Sequence, residues 1–99
     1  MLCIFYIAPA YADEATYAIV YANHSFEPFE LVIPAGKECN ITIKNQDGAP
    51  FSFRSGMLHQ HRVIQSQSEI TVYMPALNPG TYRYYNDFDE KVRGYITAK

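Results

Sequence analysis

Pro75-Ala76-Leu77-Asn78-Pro79-Gly80-Thr81-Tyr82-Arg83-Tyr84-Tyr85-Asn86-Asp87-Phe88-Asp89-Glu90-Lys91-Val92-Arg93-Gly94-Tyr95-Ile96 reads as strand, turn, strand, polar loop and strand. The Asn78-Pro79-Gly80 turn has a mechanism, because Pro fixes φ and Gly permits φ > 0. After it, Tyr82, Tyr84 and Asn86 fall on one face of a strand. The polar loop sits where a small β-sandwich would carry a metal site. It offers Asn86, Asp87, Asp89 and Glu90, but no Cys, His or Met. It therefore lacks the donors of a copper centre built on a thiolate and two imidazoles.

The same period of two runs through the preceding residues. Thr16 to Ala22 places Tyr17, Ile19 and Tyr21 on one face. Phe29 to Ile33 ends at the Pro34-Ala35-Gly36 turn. Glu38 to Asn45 alternates, with Cys39, Ile41 and Ile43 opposite Asn40, Thr42 and Lys44. Asn45-Gln46-Asp47-Gly48 turns into a short aromatic strand, Pro50 to Arg54. Gly56 to Gln60 is irregular. Arg62 to Gln65, Glu69 to Met74 and Gly94 to Ala98 complete the series. No window carries a helical apolar stripe between caps, and no repeat or linker interrupts the chain. Roughly seven or eight short strands with frequent turns predict an all-β sandwich.

With 99 residues, the chain is one domain at most. Met1 to Ala12 is an apolar run ending in Ala10-Tyr11-Ala12, followed by Asp13-Glu14. The small residues at both ends of that triplet, Ala10 and Ala12, resemble a signal-peptidase site. The expectation is a cleaved leader over 1–12, starting before Met1 because the basic start is missing, and a domain over 13–99. Twelve apolar residues are too few to span a bilayer, so no membrane span remains after cleavage. The competing reading is a soluble N-terminal strand. A net charge of −2 gives no electrostatic footprint for nucleic acid and no polybasic patch for anionic lipid. Cleavage would leave Cys39 as a lone thiol, unable to form an internal disulfide.

Two segments together resemble a cupredoxin. Phe26-Glu27-Pro28-Phe29-Glu30-Leu31-Val32-Ile33-Pro34-Ala35-Gly36 leads into an alternating strand ending at Asn45. Leu77-Asn78-Pro79-Gly80-Thr81-Tyr82 through Gly94-Tyr95-Ile96 is similar to the family's closing hairpin around the metal loop. Glu27-Pro28 adds a likeness to the cupredoxin domains of EfeO-type periplasmic iron-uptake proteins. The resemblance implies a Greek-key β-sandwich in the periplasm. It also implies work on iron, or copper, beside an inner-membrane iron permease or another periplasmic uptake component. In electron-carrying cupredoxins, four positions hold copper. The resemblance maps them here onto Phe51, Asn86, Asp89 and Val92, so all four depart from the blue-copper pattern.

Other residues could supply a different metal site. His59 and His61 are i and i+2, which in a strand would share a face and chelate one borderline ion. Asp87 and Asp89 form a second such pair, of hard oxygen donors that suit Fe³⁺, Mn²⁺ or Ca²⁺. Glu27 stands where EfeO-type domains also carry Glu, and His24 lies nearby in sequence. The bland readings are solvated surface histidines and a polar turn. Met57 is a candidate thioether. Met74 and Cys39 keep phase with apolar neighbours and read as core. No nucleophile elbow, phosphate-cradling loop or CxxC is present, and nothing in the residues demands an enzymatic role; if iron were oxidised here, the carboxylates would stabilise Fe³⁺ over Fe²⁺.

The expectation is thus a metal-handling protein using His59, His61, Asp87, Asp89 and Glu27. A metal-free interaction module is the alternative, and an electron-transfer cupredoxin the third reading.

Overall fold

A computed structural model describes residues 15–99. The leader expected over 1–12 lies outside the described residues. Among those described, the chain forms nine strands and no helix: β1 Ala15–Ala22, β2 Ser25–Glu27, β3 Glu30–Ile33, β4 Cys39–Asn45, β5 Phe51–Ser55, β6 Gln60–Ile64, β7 Ser68–Met74, β8 Gly80–Asn86 and β9 Asp89–Ala98. Two sheets face each other, ordered β2-β1-β4-β7 and β3-β9-β8-β5-β6. Both are mixed, because β1 runs parallel to β4 and β3 parallel to β9. The expected all-β sandwich is the fold observed.

Alternation does the sorting. Ile19 and Tyr21 of β1, Ile41 and Ile43 of β4, Val72 and Met74 of β7 and Ile96 of β9 all point between the sheets and are buried. Cys39 is buried with them, and burial pushes its thiol pKa up. Aromatic rings fill one end of the core. Tyr21 stacks on Phe51 at 4.2 Å between centroids. Phe26 meets Tyr84 edge-on at 4.9 Å, and Tyr84 meets Phe53 at 4.8 Å. Such pairs add roughly 0.5–1.5 kcal/mol each beyond the area they bury.

Three local features differ from the sequence reading. β2 is a strand of three residues, too short for alternation to reveal, since Phe26 is its one buried side chain. Phe29 stays outside β3 and exposed. The polar loop is much shorter than expected, because β9 begins at Asp89 and Asn86 pairs with Asp89 across Asp87 and Phe88.

Candidate functional site at the rim

One end of the sandwich gathers the β1–β2 turn, the loop from Gln46 to Pro50 and the β8–β9 hairpin. The β1–β2 turn has left-handed backbone at both central residues, Asn23 (φ 53) and His24 (φ 58). Two such residues make the type I′ turn that suits strand twist. The Asp47 carboxylate accepts both amides, from Asn23 at 2.7 Å and His24 at 3.1 Å. Those bonds, the one from the Asn23 amide foremost, hold its carboxyl below the ordinary value. Asn45 shapes the loop behind it. Its Oδ1 accepts the Asp47 amide at 2.9 Å, and its Nδ2 donates to the Ala49 and Ile64 carbonyls at 2.9 and 3.0 Å.

Asn86, which the resemblance maps onto the family's thiolate position, is buried and hydrogen-bonded through both side-chain polar atoms. Its Oδ1 accepts the amides of Ser52 at 3.1 Å and Phe88 at 3.0 Å. Its Nδ2 donates to the Tyr21 hydroxyl at 3.2 Å. Phe51, which the resemblance maps onto the early imidazole position, is fully buried against Tyr21. Val92 is half-buried and packs on the core. An amide, a phenyl ring, a carboxylate and an isopropyl group cannot provide the thiolate and imidazoles of a blue-copper centre. The residues present do not fit that group.

Between these elements lies an open cleft of about 440 Å³, lined by Tyr21, His24, Asp47, Asn86, Phe88 and Asp89, with Gly48 to Pro50 at its edge. No Lys or Arg lines it. The Tyr21 hydroxyl faces His24 Nδ1 at 3.5 Å. Burial raises the Tyr21 pKa most; its bond to Asn86 opposes this, and the charges of Asp47 and Asp89 add to the rise. The cleft therefore feels two carboxylates, an imidazole and a neutral phenol.

The five residues expected to bind metal are not assembled in one place. His59 lies in the β5–β6 turn with φ 56 and exposed, so the strand alternation that would pair it with His61 does not apply. His61 sits on β6, opposite Arg54 of β5. Its Nε2 lies 3.6 Å from Asp87 Oδ2, and Arg54 Nη1 lies 3.5 Å from the same oxygen. His61 and Asp87 do meet, but a guanidinium competes for the carboxylate, and such exposed pairs add little stability. Asp89 lines the cleft instead. Glu27 is exposed on β2, opposite Val20. Among the described residues, no three His, Cys, Asp or Glu side chains converge as a metal cage.

Sequence reasoning missed Asp47 and the Tyr21 hydroxyl. Asp47 reads as a turn residue because its partners are more than 20 positions away. Tyr21 reads as core because its ring is core and only its tip reaches the rim. The unusual Asn23-His24 pair was the available signal, since two left-handed residues call for an anchor.

A family model described as a cupredoxin-like domain matches residues 1–98. No curated protein matches the chain. Among solved structures, a reduced amicyanin mutant is 19% identical, with a TM-score of 0.70 over 85% of this chain and 82% of its own. The reduced Cu(I) form of another amicyanin mutant, at pH 4, is 17% identical, with a TM-score of 0.71 over the same shares. A purple cupredoxin from Nitrosopumilus maritimus is 19% identical, with a TM-score of 0.68 over 84% of this chain and 99% of its own. These likenesses concern the fold. With the sandwich, the rim and the family match together, the chain belongs to the cupredoxin-like domain family.

Proposed function

We propose that this domain handles a metal ion in transit, iron or copper, in the periplasm, and that it serves an inner-membrane iron-uptake system. The observation that carries the reading is the rim cleft, which combines Asp47, Asp89 and His24 with no Lys or Arg side chain. Hard oxygen donors favour Fe³⁺ over Fe²⁺, and imidazole also accepts copper. Copper is supported by the amicyanin neighbours, one of which is a Cu(I) form. Iron is supported by the EfeO-type likeness around Glu27-Pro28. Because no three donors converge among the described residues, an ion would keep water in its shell and bind through one or two protein ligands. Such a site exchanges its cargo and does not store it.

Calorimetric titration with Cu²⁺, Zn²⁺, Mn²⁺ and anaerobic Fe²⁺ tests this. Binding that weakens about tenfold in Asp89→Asn or His24→Ala, and is unchanged in His59→Ala, supports the cleft. No binding by the folded protein overturns metal handling.

A second reading, a metal-free interaction module, is favoured by the locked state of Asn86 and Phe51. These two of the four positions that the resemblance maps onto copper ligands hold the fold together instead.

A further inference from the structure

Every arginine in the chain lies in the five-stranded sheet: Arg54 on β5, Arg62 on β6, Arg83 on β8 and Arg93 on β9. The register arranges two of them with two tyrosines on the sheet's outer face. Tyr85 pairs with Arg93, and Arg83 pairs with Tyr95. Residues i and i+2 of a strand share a face, so Arg83 and Tyr85 on β8, with Arg93 and Tyr95 on β9, form a two-by-two checkerboard. Tyr84 and Gly94 lie on the inner face and are buried, which fixes the outward direction of the other four.

Glu30 stands beside Tyr95 and Arg54 beside Tyr85 in register, Glu30 holding the Thr97 hydroxyl and Arg54 pairing with Asp87, and apolar groups fill the rest of the border. Phe29, 57% exposed, meets Tyr95 edge-on at 5.2 Å. Met57, 50% exposed, lies on the other side. Between Met57, Arg83, Tyr85, Glu90 and Arg93 runs an open groove of about 500 Å³. The Arg93 guanidinium donates only to the Glu90 backbone carbonyl, at 3.3 and 3.4 Å. Neither Arg83 nor Arg93 has a carboxylate partner among the described residues.

We propose that this face docks an acidic segment of a partner protein, with carboxylates on Arg83 and Arg93 and apolar side chains against Tyr85, Tyr95 and Met57. Arg forms bidentate pairs with carboxylates, and Arg, Tyr, Met and Phe are the residue types that protein interfaces favour. The charge calls for an anionic partner. Two guanidiniums without carboxylate partners, on a chain of net charge −2, are too few for a lipid surface, whose recognition takes clusters of basic residues. This docking face is separate from the rim cleft, and its success or failure is independent of metal binding.

The test is amide chemical-shift mapping with a hexaglutamate peptide at low and high salt. Parallel arms use a hexalysine peptide and phosphatidylglycerol vesicles. Shifts centred on Arg83, Tyr85, Arg93 and Tyr95, weakened by salt and about tenfold by Arg83→Gln or Arg93→Gln, support docking. Arg62→Gln, on the edge strand, should leave binding unchanged. The unperturbed spectra of these surface variants report that each is folded. The proposal is overturned by no hexaglutamate shifts, by shifts scattered over the molecule, by equal binding of hexalysine, or by binding to vesicles alone.

Discussion

Asn86 Nδ2 donates to the hydroxyl of Tyr21 across 3.2 Å, joining β8 of one sheet to β1 of the other. The sequence resemblance maps Asn86 onto the thiolate position of electron-carrying cupredoxins. Through Oδ1, Asn86 also holds the Ser52 and Phe88 amides. Replacing Asn86 with Leu strands those buried groups. Each loses its partner at about 1–3 kcal/mol, so Asn86→Leu should cost on the order of 2–6 kcal/mol in urea unfolding. Unchanged stability would show that water replaces the amide freely.

Tyr84 carries the opposite problem. Its hydroxyl is buried and without a hydrogen-bond partner. Tyr84→Phe removes that oxygen while keeping the ring contacts with Phe26 and Phe53. The variant should be more stable by about 1 kcal/mol. Burial also pushes the Tyr84 pKa well above the ordinary 10.0. The unfolded chain releases this proton first, so stability falls as pH rises past 10.0. Tyr84→Phe should flatten that alkaline loss, as read by unfolding midpoints across the range.

Gly94 faces the Tyr84 ring across the β8–β9 pair, and a Cβ there would lie 2.7 Å from Tyr84 Cζ. The ring is wedged between Phe26 and Phe53 and cannot retreat. Gly94→Ala should cost about 1–3 kcal/mol by overpacking. Combining it with Tyr84→Leu, which vacates the space, should cost less than the two single changes together. Strict additivity in a double-mutant cycle would rule out the contact.

Asp47 governs the acid side. Its folded pKa lies below the ordinary 3.8, chiefly because the Asn23 amide donates to it. The folded state therefore holds this proton less tightly than the unfolded chain. Its contribution is complete above the ordinary value, shrinks as pH falls through it and is gone below the folded pKa. Asp47→Asn should cost about 1 kcal/mol at neutral pH, with the gap to the unaltered protein closing in strong acid. A gap that stays constant with pH would show that the carboxylate's charge plays no part.

The fold was legible because period two, turn chemistry and burial agreed along most of the chain. Cys39, Ile41 and Ile43 show this in β4, and the Pro34-Ala35-Gly36 turn marks where β3 ends. The rim was less legible because its contacts join residues far apart in sequence. Asp87 and Asp89 look like a pair in the sequence, yet the tight hairpin turns one toward Arg54 and His61 and sets the other in the cleft with Tyr21. His59 and His61 look like strand neighbours, but His59 takes the left-handed backbone of a turn. Asp47, by contrast, looks like a turn residue and is the anchor of another turn.

Where β9 sits decides when this chain can fold. β9 is the last of the nine strands in sequence, yet it lies inside its sheet, and among the described residues β3 has no other strand neighbour. Until the segment up to Ala98 joins the sheet, β3 is without its strand partner among the described residues and β8 lacks the strand that carries Gly94 beneath Tyr84. Pairings so distant in sequence form slowly, because the loop must close before the contacts repay it. Folding thus waits for β9 to be available to both neighbours.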